Sequence, residues 1–450
     1  MGGKIITVEI EDLAFDGKSV AHLDGKVVFL DGGLPGETVT AEITRSKPRY
    51  SQATVLEITD KCDARIPARC SHFDHCGGCT WQDLEYERQL HFKKKQVSEC
   101  LSRLGGLEDV AVDDVIPSGN IFDYRNKMEF SFHVIDEGGF HLGLHRRGRY
   151  DDIFDLDRCF LQSDTANEIV HRVREFVKNE NIPVYDLRTH TGFMRFLMLR
   201  EAKRTGQIMV NIVTNAGDLP AQDRLVERLT AEFPNIATIV HGQNSKKSNI
   251  AVSETENVLF GPGYIEEQLF DCRFRIRANS FFQTNSLQSE VLYETGFDLL
   301  DPKPTDRLLD LYCGTGSIGI LLASRVAEVV GVELVEDAVR AAKDNAELND
   351  ITNIEFFQGH VKEFLKALRP EQRRFDIVVI DPPRAGLHPK ALKRTIGLGA
   401  DKILYISCNP ATFARDAREL TSAGYNVSKV KPVDMFPHTK HIELVALFSK

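Results

Sequence analysis

Cys408 stands in Ser407-Cys408-Asn409-Pro410, directly after the apolar run Ile403-Leu404-Tyr405-Ile406. Such a run reads as a buried strand, and a cysteine in the turn at its tip is placed to project into a pocket as a thiol nucleophile. Upstream lies Asp310-Leu311-Tyr312-Cys313-Gly314-Thr315-Gly316-Ser317-Ile318-Gly319, a glycine-rich strand-to-helix turn. Glycines there let the backbone bend sharply and approach a nucleotide-like ligand. Together the two elements suggest group transfer through a covalent adduct between protein and substrate.

A lone G-x-G-x-x-G is a weak signal, and a carboxylate after the next strand strengthens it. Gly331-Val332-Glu333 supplies one, so Glu333 is placed to accept from two ribose hydroxyls. Dinucleotides and S-adenosylmethionine share this arrangement. Asp310, just before the glycines, decides between them: it would repel a pyrophosphate and suits a cationic methionyl group. S-adenosylmethionine is therefore preferred over a dinucleotide or over packing glycines without a ligand. Gly314 and Tyr312 belong to the same cofactor turn.

Phe375-Asp376-Ile377-Val378-Val379-Ile380-Asp381-Pro382-Pro383-Arg384 is a strand ending in Asp-Pro-Pro. Its carboxyl end should lie in the ligand crevice, with Asp381 held rigidly by the prolines. Cys408 ends another strand and should face the same crevice. A thiolate adds well to carbon 6 of a uracil or cytosine ring, and addition places enolate character on carbon 5, which then attacks a sulfonium methyl. A base must afterwards remove the carbon-5 proton. Glu443, in His438-Thr439-Lys440-His441-Ile442-Glu443, is the first candidate, with His438 and His441 as alternatives. A structural Cys408 and a simple strand-end turn at Asp381 are the competing readings. They lead to an amino-group methyltransferase working through Asp-Pro-Pro.

Cys70, Cys76 and Cys79 form a compact three-thiol loop, and Cys159 is the expected fourth partner. Four thiolates suit tetrahedral zinc or an iron–sulfur cluster, and His72 or His75 could complete a zinc site instead. No radical-type C-x₃-C-x₂-C spacing occurs, so no radical chemistry is assigned. With nine cysteines and no signal peptide, the cytoplasm is expected and paired disulfides are not. No apolar run reaches the length of a membrane span, so no membrane partner is expected.

The elements that must position these residues follow from the chain's grammar. At 450 residues, two or three domains are expected. Residues 1–60 read as short strands between turn residues, a small β-barrel. Arg45 to Tyr50 combines three cations with an aromatic ring, a candidate RNA-contact loop. Residues 61–281 form a mixed α+β central part carrying the cysteines and basic clusters at Arg146, Arg147 and Arg149 and across Arg188, Arg195, Arg200, Lys203 and Arg204. Near residues 84–104 the pattern is helical, with Leu90, Val97 and Leu101 on one face and Lys93-Lys94-Lys95 elsewhere. From 282 to 450 strands and helices alternate, the signature of an α/β domain with a mostly parallel, Rossmann-like sheet. The net charge of −10 argues against indiscriminate nucleic-acid binding and leaves room for a local basic groove.

Taken together, Cys408 in Ser-Cys-Asn-Pro, the glycine turn, Asp381 and Phe281-Phe282-Gln283-Thr284-Asn285 resemble the RNA uracil-5-methyltransferases, over nearly the whole chain. That family makes 5-methyluridine in tRNA and ribosomal RNA. The resemblance implies a class I methyltransferase domain, an N-terminal TRAM barrel, and a helix near 84–104 packed on the catalytic domain. It implies Cys408 as nucleophile, Glu443 as proton acceptor, and Gln283, Tyr312, Gly314, Glu333 and Asp381 at the cofactor site. It turns the cysteine set, Cys70, Cys76, Cys79 and Cys159, toward a [4Fe–4S] cluster. The implied partner is structured RNA with a flipped-out base, 23S rRNA preferred over tRNA, and no obligate protein partner. A non-catalytic RNA-binding or ribosome-assembly protein is the alternative of a different class.

Overall fold

The computed structural model describes residues 3–135, 138–247 and 249–450. Among these residues the strands fall into three sheets and one hairpin. The first sheet runs in the order Ile5–Glu9, Thr38–Ser46, Tyr50–Asp60, Lys26–Asp31, Ser19–Leu23, Asp12–Leu13. Alternate residues Ile6, Val8, Val28, Leu30, Val39 and Ala41 meet in one small core, as a period of two requires when one face is buried. Lys47 and Arg49 are exposed in the turn between its two longest strands, while Tyr50 packs edge-on against Phe29 at 5.9 Å.

The central sheet has seven strands, from Ile153–Asp155 at one edge to Thr255–Phe260 at the other. Helix Asp164–Asn179 covers it with Ile169, Val170 and Val173. Of the basic residues singled out, Arg149, Arg188 and Arg204 stand exposed, and two others do not. Arg195 and Arg200 are each only 2% exposed. Arg200 donates to the carbonyls of Ala278 and Ser280, and Arg147 donates to Phe73 and Cys79 carbonyls of the cysteine loop. Burying the Arg200 guanidinium demands such partners; the carbonyls it ties down belong to the segment leading to Gln283.

The third sheet runs Ile354–Gln358, Glu328–Glu333, Arg307–Leu311, Ile377–Ile380, Lys402–Ser407, Glu443–Ser449, Asn426–Val433, Ala111–Val112. The first five are parallel, and Glu443–Ser449 runs antiparallel beside Lys402–Ser407. Its side chains alternate between two cores. Leu308, Ile377, Val379, Leu404 and Ile406 face one; Leu309, Val378, Ile380, Ile403 and Tyr405 face the other. Helices cover both faces, so the strands read as unbroken apolar runs. The hairpin Tyr264–Leu269 with Cys272–Arg277 adds Ile265, Leu269, Phe274 and Ile276 to the first core, beside Met198 and Met209 of the central sheet.

Helix Tyr86–Cys100 packs Val97 and Cys100, with Leu101 just beyond its end, into the other core. Its buried residues are Gln89, Phe92, Lys93, Gln96, Val97 and Cys100, a proper helical stripe in which three members are polar. Lys93, placed by the sequence pattern off the apolar face with Lys94 and Lys95, is fully buried against Asp434. The same helix holds the barrel: Gln96 donates to the Leu13 and Ala14 carbonyls, and Lys95 pairs with Asp12.

Candidate active site

Strand order in the third sheet reverses between Arg307–Leu311 and Ile377–Ile380, and ligands of such sheets bind beyond the carboxyl ends at that reversal. A cleft of about 1620 Å³ opens there. Gln283, Tyr312, Gly314, Glu333, Asp381, Cys408 and Glu443 all line it.

Ser407-Cys408-Asn409-Pro410 folds as a strand end running straight into a helix. Ser407 is the last strand residue, and Asn409 caps helix Pro410–Ser422 by accepting from Ala411 N at 3.1 Å. Proline at the first helical position fits this start. Cys408 is left between them, half-buried and open to the cleft. The antiparallel register pairs Ser407 with Leu444, so one further step sets Cys408 beside Glu443. A carboxyl at the beginning of one strand thus reaches the same sheet end as a thiol at the finish of its neighbour.

The electrostatics are dominated by enclosed acids. Burial pushes the Asp310 carboxyl up to about 8, with Asp381 adding to it, and enclosure by the cleft wall pushes Asp381 up to about 7. Glu443, 4% exposed, is held well above the usual carboxylate range by burial and then by Asp381. Asp310 takes one hydrogen bond from Gly319 N at 3.0 Å, and its buried Oδ1 has no hydrogen-bond partner. Such a site favours a cation.

Arg384, to which the sequence reading gave no role, answers part of that charge. Its guanidinium opposes the upward shifts of both the Cys408 thiol and Glu443, and it meets His441 Nδ1 at 2.6 Å. Its place directly after Asp-Pro-Pro was the available signal. Tyr293 was also missed: from helix Ser286–Leu300 it lines the cleft together with Gln283, and an aromatic at helical spacing reads as core.

Burial pushes the Cys408 thiol up to about 11, Glu443 and Asp381 add to it, and Arg384 opposes them. A raised thiol pKa leaves little thiolate at neutral pH. Alkylation of Cys408 by iodoacetamide is therefore expected to quicken about tenfold per pH unit from about pH 7 to about 10. Arg384→Gln should slow it across that range. Peptide mass spectrometry of quenched samples reads both.

At the cofactor end the Glu333 carboxylate accepts from Leu334 N at 2.7 Å, Val335 N at 2.9 Å and Gly314 N at 3.1 Å. A carboxylate offers about four acceptor directions, so about one remains for a ligand rather than the two expected. Tyr312 adopts φ 64°, rare for a side chain of its size, and its N–H is held by the Val332 carbonyl at 2.9 Å. Gly314, at φ 54°, has open space where a Cβ would stand.

Cys70, Cys76, Cys79 and Cys159 come together. The Cys79 thiol is raised by burial and then by Cys159, Cys76 and Cys70 in turn. Gly78 N points at Cys76 Sγ at 3.3 Å, and Gln82 Nε2 at Cys79 Sγ at 3.7 Å. His72, an alternative ligand from the sequence, already accepts from Asp157 N at 3.0 Å. Among the described residues no set of three or more His, Cys, Asp or Glu side chains is arranged to hold a metal ion. None of the described helices is long and apolar enough to cross a membrane.

A family model for tRNA (uracil-5-)-methyltransferases matches residues 85–450. The chain belongs to that family. A TRAM-domain model matches residues 1–56 of this methyltransferase. It is 39% identical over 450 residues to an uncharacterized RNA methyltransferase of Caldanaerobacter subterraneus, covering 100% of this chain and 99% of that one. It is also 39% identical to one of Chlorobaculum tepidum, covering 100% and 97%. Among solved structures, the Pyrococcus abyssi tRNA (uracil-54, C5)-methyltransferase in complex with S-adenosyl-L-homocysteine is similar, with TM-score 0.79 and 32% identity. That likeness covers 98% of this chain and 100% of the other.

Proposed function

We propose that this methyltransferase moves a methyl group from S-adenosylmethionine to carbon 5 of a uridine in structured RNA, through a transient bond from Cys408 to carbon 6. The carrying observation is that Cys408, Glu443 and Arg384 meet at one sheet end, beside the enclosed carboxyls of Asp310 and Asp381. Bound S-adenosylmethionine supplies an electrophilic methyl on a positively charged sulfur.

Asp310 and Asp381 favour that positive charge, which in turn stabilises their ionised forms. Glu333 takes a ribose hydroxyl, Tyr312 packs along the donor, and Gly314 lets the backbone approach it. Gln283 and Asp381 orient the base against the methyl. Arg384 stabilises the Cys408 thiolate, which adds to carbon 6; the electron pair of the 5,6 double bond moves toward carbon 5 and oxygen 4. Carbon 5 then bonds the methyl carbon as the methyl–sulfur bond breaks, and the sulfur keeps that electron pair and leaves as the neutral thioether of S-adenosylhomocysteine. Glu443 takes the carbon-5 proton, the double bond re-forms, and Cys408 leaves as thiolate.

Cys70, Cys76, Cys79 and Cys159 hold a [4Fe–4S] cluster in this reading, supported by the electrostatic influence of the other three thiols on Cys79 and by N–H groups aimed at two of the sulfurs. Its part is to order the loop, with no redox step. Protein purified without oxygen is expected to carry about four irons per chain, and Cys159→Ser to lose most of them. Zinc in their place, by elemental analysis, would overturn the assignment.

The substrate in this reading is 23S rRNA, met in the cytoplasm. The second reading is tRNA, favoured by the likeness to the Pyrococcus enzyme; since that likeness covers 98% of this chain, the barrel does not by itself separate the two. Mapping 5-methyluridine in both RNAs, from cells with and without this chain, tests the pair. Loss of a 23S rRNA site is the expected result, and loss confined to tRNA selects the second reading. Unchanged 5-methyluridine in both overturns the function.

A further inference from the structure

Glu443 opens its strand, so its position depends on the loop before it, and that loop is tethered from four directions. Four consecutive carbonyls each accept from a different part of the chain. Met435 O takes Asn285 Nδ2 at 3.0 Å, and Phe436 O takes Lys93 Nζ at 3.1 Å. Pro437 O takes the Tyr124 hydroxyl at 3.1 Å. His438 O takes the backbone N–H groups of Thr80 and Trp81 at 2.8 and 3.0 Å, and Thr80 directly follows Cys79. At the base of the loop, Asp434 accepts from Lys93 Nζ at 2.6 Å, both fully out of solvent, and from the hydroxyl of half-buried Tyr86 at 2.9 Å. Gln89 accepts from His438 N at 2.9 Å while donating to Trp81 and Leu84 carbonyls at 2.8 Å each. The loop then delivers His441 to Arg384 and ends at Glu443.

These partners do not line the cleft, apart from loop residues Phe436 and Thr439 with His441, and strand pairing does not need them. Apolar residues often fill the place of a buried ion pair equally well, so what the pair adds is a defined geometry. We propose that Lys93 is a positioning residue for proton removal: with Tyr124 and the Thr80 and Trp81 amides of the cysteine loop, it fixes the 434–442 loop so that Glu443 meets the carbon-5 proton. This rests on the roles proposed for Glu443 and Cys408. In the affected step the carbon-5–hydrogen bond breaks and the proton passes to the Glu443 carboxylate. The freed electron pair restores the 5,6 double bond, and the bond from carbon 6 to Sγ breaks to return the thiolate. Cys408 is carried by another strand and a helix start, and none of these tethers falls on either of them.

The test uses the full chain with Lys93→Met, S-adenosylmethionine and substrate RNA. Turnover should fall about 100-fold, the scale of an ångström's misplacement at a reacting group. Denaturant-resistant protein–RNA adduct should accumulate, and RNA deuterated at carbon 5 should show a primary isotope effect. The rate of adduct formation with 5-fluorouridine RNA should stay within about threefold of the parent, because addition precedes the perturbed step. Tyr124→Phe removes one hydroxyl and keeps the ring; it should shift the same readouts by a smaller factor of about three to ten, and it serves if Lys93→Met does not fold. The proposal is overturned if 5-fluorouridine adduct formation falls in step with turnover, or if neither adduct nor isotope effect emerges. Glu443→Gln separates the two readings. If it builds no adduct, the base assignment itself fails; if it does while Lys93→Met and Tyr124→Phe do not, only the positioning role fails.

Discussion

Cys408→Ala is expected to lower 5-methyluridine formation by on the order of 10⁴-fold or more, since an enzyme that works through a covalent bond loses the whole step with its nucleophile. The cysteine is half-buried and at the mouth of the helix start, so alanine leaves the Asn409 cap and the strand untouched. RNA binding and thermal melting should hardly move. The informative partner measurement is 5-fluorouridine RNA, which traps the parent as a denaturant-stable adduct because fluorine cannot leave as a proton does; the variant should give none. Retained methyl transfer into RNA at a nucleobase amino group would favour the rival working through Asp381-Pro382-Pro383. A parent chain that binds RNA yet never forms adduct would point to a binding module.

Glu443→Gln is expected to stop the reaction one step later. Glutamine keeps the shape and cannot accept the proton, so turnover should fall about 10³-fold. Addition should not suffer: the Glu443 charge is the second-largest influence raising the Cys408 thiol, so removing it moves that thiol downward and increases thiolate at neutral pH. The variant should therefore accumulate methylated RNA bonded to protein, visible on a denaturing gel with ordinary uridine RNA. Rapid turnover without adduct would hand the base role to His441 or to His438. Both rings are neutral at pH 7, held down to about 4, burial being the largest cause in each case.

The α/β class was legible because strands buried on both faces cannot hide: Ile377–Ile380 and Ile403–Ile406 read as apolar runs whatever their neighbours. Convergence of Cys408, Asp381 and Glu333 on one cleft was legible for a related reason, since parallel strands deliver their ends to one side of a sheet. Asn426–Val433 was harder, with Lys429, Lys431 and Pro432 interrupting it, and Ala111–Val112 is too short to carry a period. Lys93 was illegible in principle. A lysine triplet on a helix is ordinarily solvated, and the carboxylate that takes this one inside stands 341 residues later. Arg200 was illegible for the same reason, its partners being carbonyls of a distant loop. Local pattern reports which face is apolar; it cannot report a polar group whose match is made only in three dimensions.

That separation sets a schedule for the newborn chain. At ribosomal speeds of about 5 to 20 residues per second, Lys93 leaves the ribosome roughly 20 to 70 s before Asp434 exists. During that interval the helix from Tyr86 to Cys100 exposes a half-polar stripe with nothing to dock on, while the barrel and the central sheet can already close. The catalytic half must thus be added last onto a waiting scaffold, and a pause or truncation before the final strands leaves a chain able to fold two of its sheets and unable to build its reaction centre.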